Sequence, residues 1–458
     1  MTTPHEYAAA HGEKYIEDVK TLLRIPSIST LSEHKNDVHR AAEWLRNHCL
    51  EIGMTRAEVM PTAGHPVVYA EWLEAGDNMP TVLVYGHYDV QPIDPIELWQ
   101  SDPFEPQERS GNLYARGATD DKGQMMIHLK TFETFMKSRG SFPVNLKVIL
   151  EGEEENASPN LEPFIKQHTD LLACDVVVLS DMEVLNENQP TITYGVRGMM
   201  YMEVEVWGPK EDLHSGSFGG TVHNPVQALV EILAQLHDEN RHVTIPGFYD
   251  DVVELTPQER EALAKLPLTD DWYLEHAGVS KLWGEPGFTA NERIGARPTL
   301  ELNGIVGGWT KEGQKTVIGA SALAKVSTRL VPNQDPLRIY KMVKDHIAKL
   351  TPDTVRSEVR NLGPGAFATL VPLESKEIQI AADAYEKTFG NRPLFVRSGG
   401  TLPIVGLCQK ILNAPVLLMG FGLPDDNLHA PNEKFTLSMF HKGIQTMLHF
   451  YDSLPGSI

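Results

Sequence analysis

The stretch TVLVYGHYDV, Thr81 to Val90, begins as an apolar β-strand and ends with a histidine and an aspartate two residues apart, His87 and Asp89. A short continuous run of β-branched and aromatic residues reads as a strand buried on both faces, the kind that populates parallel sheets. Val67–Trp72, Asn145–Leu150 and Val176–Leu179 repeat the pattern, and a helical spacing of Met125, Leu129, Phe132 and Met136 lies between two of these strands. Such alternation predicts an α/β domain around a mostly parallel sheet flanked by helices. Ligands bind such sheets beyond the carboxyl ends of the strands, so the polar residues found there are read as one set.

That set is rich in metal-ligand types. His87 and Asp89 end one strand, Glu153, Glu154 and Glu155 follow the next in LEGEEENAS, and Asp181 ends VVVLSD. ARGATDDKG places Asp120 and Asp121 just before a helix, and the late strand VLLMGFG is followed by LHAPNE, which contains His429. Taken singly, each motif has a plain structural reading: a satisfied polar pair, a solvated acidic loop, a helix cap. Together they fall on one edge of one sheet, and carboxylates gathered within ~4–6 Å raise one another's pKa unless a cation neutralises them. Histidine and carboxylate donors without cysteine suit Zn²⁺, Mn²⁺ or Co²⁺.

Length and composition bound the alternatives. With 458 residues, 41% of them hydrophobic, the chain is too long for one core to be the default, and two domains are expected. A formal net charge of −22 excludes nucleic acid and anionic membrane surfaces as natural partners and favours a small molecule or peptide. The three cysteines, Cys49, Cys174 and Cys408, stand in apolar stretches without metal-ligand spacing and read as core residues of a reducing compartment. The N-terminal stretch shows an amphipathic helix (Tyr15, Val19, Leu22, Leu23) in place of a signal peptide, and no apolar run approaches the ~20 residues of a membrane span. A cytoplasmic location is the expectation.

From about Val196 the texture changes. MMYMEVEVWG reads as a strand, HNPVQALVEILAQLHDEN as a helix opened by Pro225, SALAKVSTRLVP as a half-buried strand, and Asp335–Pro336 opens another amphipathic helix before TVRSEVRNL. This order predicts an inserted α+β domain of ferredoxin-like type over residues 196–368, with 1–195 and 369–458 forming the two parts of the catalytic domain. The irregular stretch Thr244–Pro298 reads as an insertion of no legible function, and NLGPGAFATLVP as the return linker.

Nine ordered motifs carry a resemblance: YGHYDVQP, ARGATDDKG, EGEEENAS, LSD, TYGVRG, LHSG, STRLVPN, RSGGTLPI and LHAPNEK. Over nearly the whole chain they resemble the cocatalytic-zinc metallopeptidases that include aminoacylase-1, glutamate carboxypeptidase, succinyl-diaminopimelate desuccinylase and the dipeptidases, with the nearest likeness to the cytosolic nonspecific dipeptidase and carnosinase branch. The resemblance implies two divalent metal ions per subunit, with Zn²⁺ foremost. His87, Asp120 and Asp181 would hold one, and Asp120, Glu155 and His429 the other. It further implies that Asp89 orients His87, that Glu154 is the general base, and that the Asp120–Asp121 peptide is cis.

For the substrate, the resemblance gives Arg329 the role of clamping a free carboxylate, helped by the backbone N–H groups of Gly399, Gly400 and Thr401. His214, in LHSG, would polarise the scissile carbonyl across a homodimer formed through the inserted domain, which also acts as a lid. One departure stands out: many relatives have Gly-Ser after the acidic pair, where this chain has Ala157. The activity implied is hydrolysis of dipeptides or very short peptides. Deacylation of N-acyl or N-succinyl amino acids and carboxypeptidase action are the alternatives with the same chemistry, and a silent peptide-binding protein is the alternative without it.

Overall fold

The computed structural model of the chain describes residues 2–456. They form two compact units. The first takes the chain up to Tyr194 together with Val371–Val396 and the chain from Leu407 onward, and the second takes Gly195–Leu370 and Arg397–Gly406. The sequence reading kept all of 369–458 with the first unit. The segment carrying Gly399, Gly400 and Thr401 belongs instead to the second, where Arg197 N–H donates to the Gly400 carbonyl at 3.0 Å.

The first unit is built on a sheet whose order runs Arg56–Met60, Val67–Trp72, Asn145–Glu151, Thr81–His87, Val176–Leu179, Val416–Leu418, Thr191–Val196. The four strands from Asn145–Glu151 to Val416–Leu418 are mutually parallel, and the flanking strands are antiparallel. Apart from Thr81, the parallel strands are buried along their whole length, as expected for a sheet covered on both faces. The helix Lys122–Arg139 packs on Thr81–His87 and is covered in turn by Pro4–Ala10, Gly12–Leu23, Lys35–Ile52 and Leu437–Ser453. It is buried without a break from Lys122 to Phe135, so its polar residues as well as its apolar ones face protein.

The second unit has a four-stranded antiparallel sheet in the order Thr299–Gly307, Ser321–Leu330, Gly198–Trp207, Arg356–Asn361. Helices Pro225–Leu233 and Pro336–Leu350 complete the βαββαβ order of the ferredoxin-like fold. Alternate residues of Gly198–Trp207 are buried, and Met200, Met202, Val204 and Val206 share a core with Leu229, Ile232, Ile339 and Val343.

Two expectations are corrected. The stretch Thr244–Pro298 is not irregular throughout: it carries helices Pro257–Ala264, Asp270–Ala277 and Ala290–Ala296. Thr256 with Glu259 and Thr289 with Glu292 form reciprocal capping boxes, which start short helices where apolar periodicity is weak. Of the three cysteines, Cys49 and Cys408 are buried but Cys174 is partly exposed. Among the described residues no helix is long and apolar enough to cross a membrane.

Candidate metal centre

His87 closes its strand opposite Glu151 of the parallel neighbour and is fully buried. Its Nδ1 lies 3.1 Å from the backbone oxygen of Asp89 and 3.5 Å from the Asp89 carboxylate. The orienting bond therefore goes to the Asp89 backbone, and the buried Asp89 carboxylate accepts the N–H groups of Glu154 at 3.2 Å and Glu155 at 3.1 Å. One aspartate thus fixes both the imidazole and the acidic loop.

Asp120 sits between two imidazoles. Its Oδ1 lies 3.0 Å from His87 Nε2 and its Oδ2 2.9 Å from His429 Nε2, while His87 Nε2 is 3.7 Å from Asp181 and His429 Nε2 is 3.3 Å from Glu155. The donor atoms of His87, Asp120 and Asp181, and those of Asp120, Glu155 and His429, each fall within 4.8 Å of one another. The two groups share Asp120, one oxygen toward each. The Asp120–Asp121 peptide is cis.

The loop that presents Asp120 is held by a residue the sequence reading passed over. Glu433, fully buried, accepts from Arg116 Nη1 at 2.9 Å and from the N–H groups of Gly117, Thr119 and Asp120 at 2.9, 3.0 and 3.1 Å. The available signal was its place in LHAPNEK, four residues beyond His429. The three consecutive glutamates divide their work. Glu153 ties the loop by accepting from His65 N–H and Asn160, Glu155 accepts from Gln91 at 2.6 Å, and Glu154 has no hydrogen-bonded partner for its carboxylate among the described residues. Ala157 has φ +63°, the left-handed region that disfavours a side chain.

Electrostatically the cluster is unbalanced. Burial raises the carboxyls of Glu155 and Asp181, to about 8 and about 7, with the Asp120 charge adding to each, and burial likewise raises Glu154. Burial alone would raise Asp120 too, but the His429 hydrogen bond and the close His87 imidazole outweigh it and hold Asp120 below the usual carboxylate range. Among the described residues no lysine or arginine pairs with Asp120, Asp181, Glu154 or Glu155. His87 Nε2 is buried without a well-directed hydrogen bond. Imidazole nitrogens and carboxylates that converge in this way, with no lysine or arginine among them, fit a pair of divalent cations.

The residues expected to bind substrate lie in the second unit. Arg329 Nη1 donates to Thr401 Oγ1 at 2.7 Å. Gly399 is pinned by Arg197, whose Nε donates to its carbonyl at 3.2 Å, and a Cβ there would clash with Ile294. Of the three backbone donors expected to face an anion, that of Gly400 is already engaged by Ser398 Oγ at 3.1 Å. His214 caps the short helix Ser215–Phe218 by accepting the Gly216 N–H on Nδ1 at 3.0 Å, which places the proton of the neutral ring on the exposed Nε2.

Fold and clusters together define a metal-dependent hydrolase on a mostly parallel sheet. Comparison with known proteins gives the family: the chain belongs to peptidase family M20/M25/M40, whose model matches residues 83–453. It is 36% identical to the Cys-Gly metallodipeptidase dug1 of Schizosaccharomyces pombe over 82% of this chain and 80% of that protein. It is 34% identical to the human (Homo sapiens) Beta-Ala-His dipeptidase over 97% of this chain and 91% of that one. Among solved structures, an M20 family metallo-carboxypeptidase, Sso-CP2 from Sulfolobus solfataricus, superposes with a TM-score of 0.83 at 32% identity, covering 96% of this chain and 99% of that one.

Proposed function

We propose that the chain is a dipeptidase that hydrolyses dipeptides or very short peptides with a free C-terminal carboxylate. The observation that carries this reading is the pair of histidine–carboxylate groups joined through Asp120, together with the dipeptidases among its relatives. His87, Asp120 and Asp181 would hold one divalent ion and Asp120, Glu155 and His429 the other, with Zn²⁺ the first choice and Mn²⁺ or Co²⁺ the alternatives. When bound, the ions polarise the scissile carbonyl and lower the pKa of the attacking water toward ~7.

The chain's own groups do the rest. Glu154, raised above the usual carboxylate range by burial, is the general base. It takes one proton from the water as the new C–O bond forms and returns it to the leaving nitrogen as the C–N bond breaks. Asp89 keeps Glu154 and Glu155 in place through their N–H groups. His214, with its proton on Nε2, donates to the carbonyl oxygen as charge develops there. Arg329, steadied by Thr401, clamps the substrate carboxylate, with the Gly399–Thr401 backbone beside it. The inserted unit is assigned as the lid and as the homodimer contact.

A second reading, carboxypeptidase action on longer chains, is favoured by the likeness to Sso-CP2. The test is a panel of dipeptides, N-terminally extended peptides, and N-acetyl and N-succinyl amino acids, offered to metal-stripped protein refilled with Zn²⁺ or Mn²⁺. Hydrolysis confined to dipeptides and tripeptides supports the proposal. Preference for longer peptides supports the carboxypeptidase, reaction of acyl amino acids alone supports a deacylase, and silence on all of them contradicts an enzyme of this specificity.

A further inference from the structure

The second unit contains a cavity of about 310 Å³ whose character is opposite to that of the whole chain. Five arginines line it, Arg197, Arg241, Arg293, Arg297 and Arg329, against two glutamates, Glu285 and Glu301. In a protein of net charge −22 this is a local excess of positive charge. Arg297 is internally compensated: it forms a bidentate pair with Glu285 at 2.6 and 2.9 Å.

The other four are not. Arg197 donates to the carbonyls of Gly399 and Arg297, Arg293 to the carbonyl of Glu285, and Arg329 to the Thr401 hydroxyl. Among the described residues none of these three, nor Arg241, lies within 4.0 Å of a carboxylate oxygen. Burial and the like charge of Arg329 push the Arg197 guanidinium down to about 10, and the Glu301 carboxylate nearby offsets this only in part. The apolar side of the cavity includes Trp283, which is 62% exposed. Guanidinium groups converging on a partly apolar cavity match a carboxylate carried on a short aliphatic stem.

We propose that this cavity is a specificity subsite for a second carboxylate, the side chain of a substrate whose C-terminal residue is glutamate or aspartate. Arg241 and Arg293 take the side-chain carboxylate, and the stem lies against Trp283. The proposal rests on the reading above, in which Arg329 clamps the α-carboxylate.

The test pairs kinetics with binding. Metal-loaded wild type and an Arg241→Gln/Arg293→Gln double variant are compared on Ala-Glu against Ala-Gln and on Ala-Asp against Ala-Asn. The acidic substrate is expected to lead in kcat/KM by about tenfold or more in the wild type, the order expected of a charged hydrogen-bonded contact, and to lose that lead in the variant. The Ala-Gln rate should fall far less than the Ala-Glu rate. A wild-type ratio near one overturns the proposal.

Glutarate titrated while tryptophan fluorescence is followed, with Trp283→Phe as control, reads the cavity directly. A saturable signal that is lost in the double variant, with competition against Ala-Glu, supports the subsite. Glutarate that binds there without competing overturns the assignment to a substrate side chain and indicates a site for a free carboxylate. If no dipeptide is cleaved, the dipeptidase reading has failed, and the glutarate titration alone then decides whether the cavity binds carboxylates.

Discussion

Two buried acidic clusters lie in the first unit, and they balance their charge in opposite ways. Asp18, His48 and Glu133 have the composition and proximity of a metal-binding triad. Yet Lys130 Nζ sits among them, donating to Asp18 at 2.6 Å, to His48 Nε2 at 2.8 Å and to Glu133 at 2.8 Å. An ammonium has three protons, and all three are used. Among the described residues the cluster around Asp120 has no lysine or arginine partner, only the imidazoles of His87 and His429. Proximity of ligand types therefore does not define a metal site; a charge left without a protein partner does.

This contrast yields opposite expectations for removing a charge. In the Asp120 cluster, Glu154→Gln should lower kcat by about 10²–10⁴-fold, the usual contribution of a general base, with metal content and thermal midpoint unchanged. Steady-state kinetics beside metal analysis checks this, and a variant that retains wild-type kcat would remove Glu154 from the chemistry. In the closed cluster, Lys130→Met strands Asp18 and leaves Glu133 with Lys14 alone, and it should destabilise the fold by about 3–5 kcal/mol, read by denaturant unfolding. The folded fraction of that variant should keep its metals and its kcat.

A pH experiment sharpens the same contrast. Burial, with Lys130 beside it, lowers His48 from its ordinary 6.5 to about 4. Between these values the unfolded chain binds a proton that the folded chain refuses, so the stability from this group is full above pH 6.5 and is lost as pH falls toward 4. The expected loss is about 2–3 kcal/mol over that range. His48→Gln, which keeps an acceptor for Lys130, should flatten the slope without abolishing it, because burial lowers His128 in the same direction. An unchanged slope would mean that His48 is already charged in the folded protein. The smallest effect concerns the acidic loop: Ala157→Gly, relieving φ +63°, should stabilise by up to about 1 kcal/mol with little change in kcat.

The sheet and the gathering of these side chains at its edge were legible in the sequence because both are written locally. Apolar strands such as Thr81–His87 end at the residues they deliver, and parallel order follows from alternation with helices. What was not legible depends on contacts far apart in the chain. Glu433 grips the 116–120 loop more than 300 residues away, and only the fold reveals that four donors converge on it. The Asp89 carboxylate was expected to face His87, but the loop's N–H groups compete for it, a choice settled by register rather than motif. Likewise the apolar spacing of the helix Lys122–Arg139 gave no sign that its polar side is buried too, with Lys130 a buried counter-ion rather than a solvated charge. The capping boxes of the inserted stretch were present in the sequence and outweighed by its glycines and prolines.

The most direct test of the account is the number of divalent ions held per chain, counted by mass spectrometry of native protein after refilling with Zn²⁺, for wild type, Asp120→Ala and Glu133→Gln. The account predicts two ions in the wild type, loss of both when the shared carboxylate is removed, and two still bound when Glu133 is neutralised. Ions that survive the loss of Asp120, or one that departs with Glu133, would contradict it.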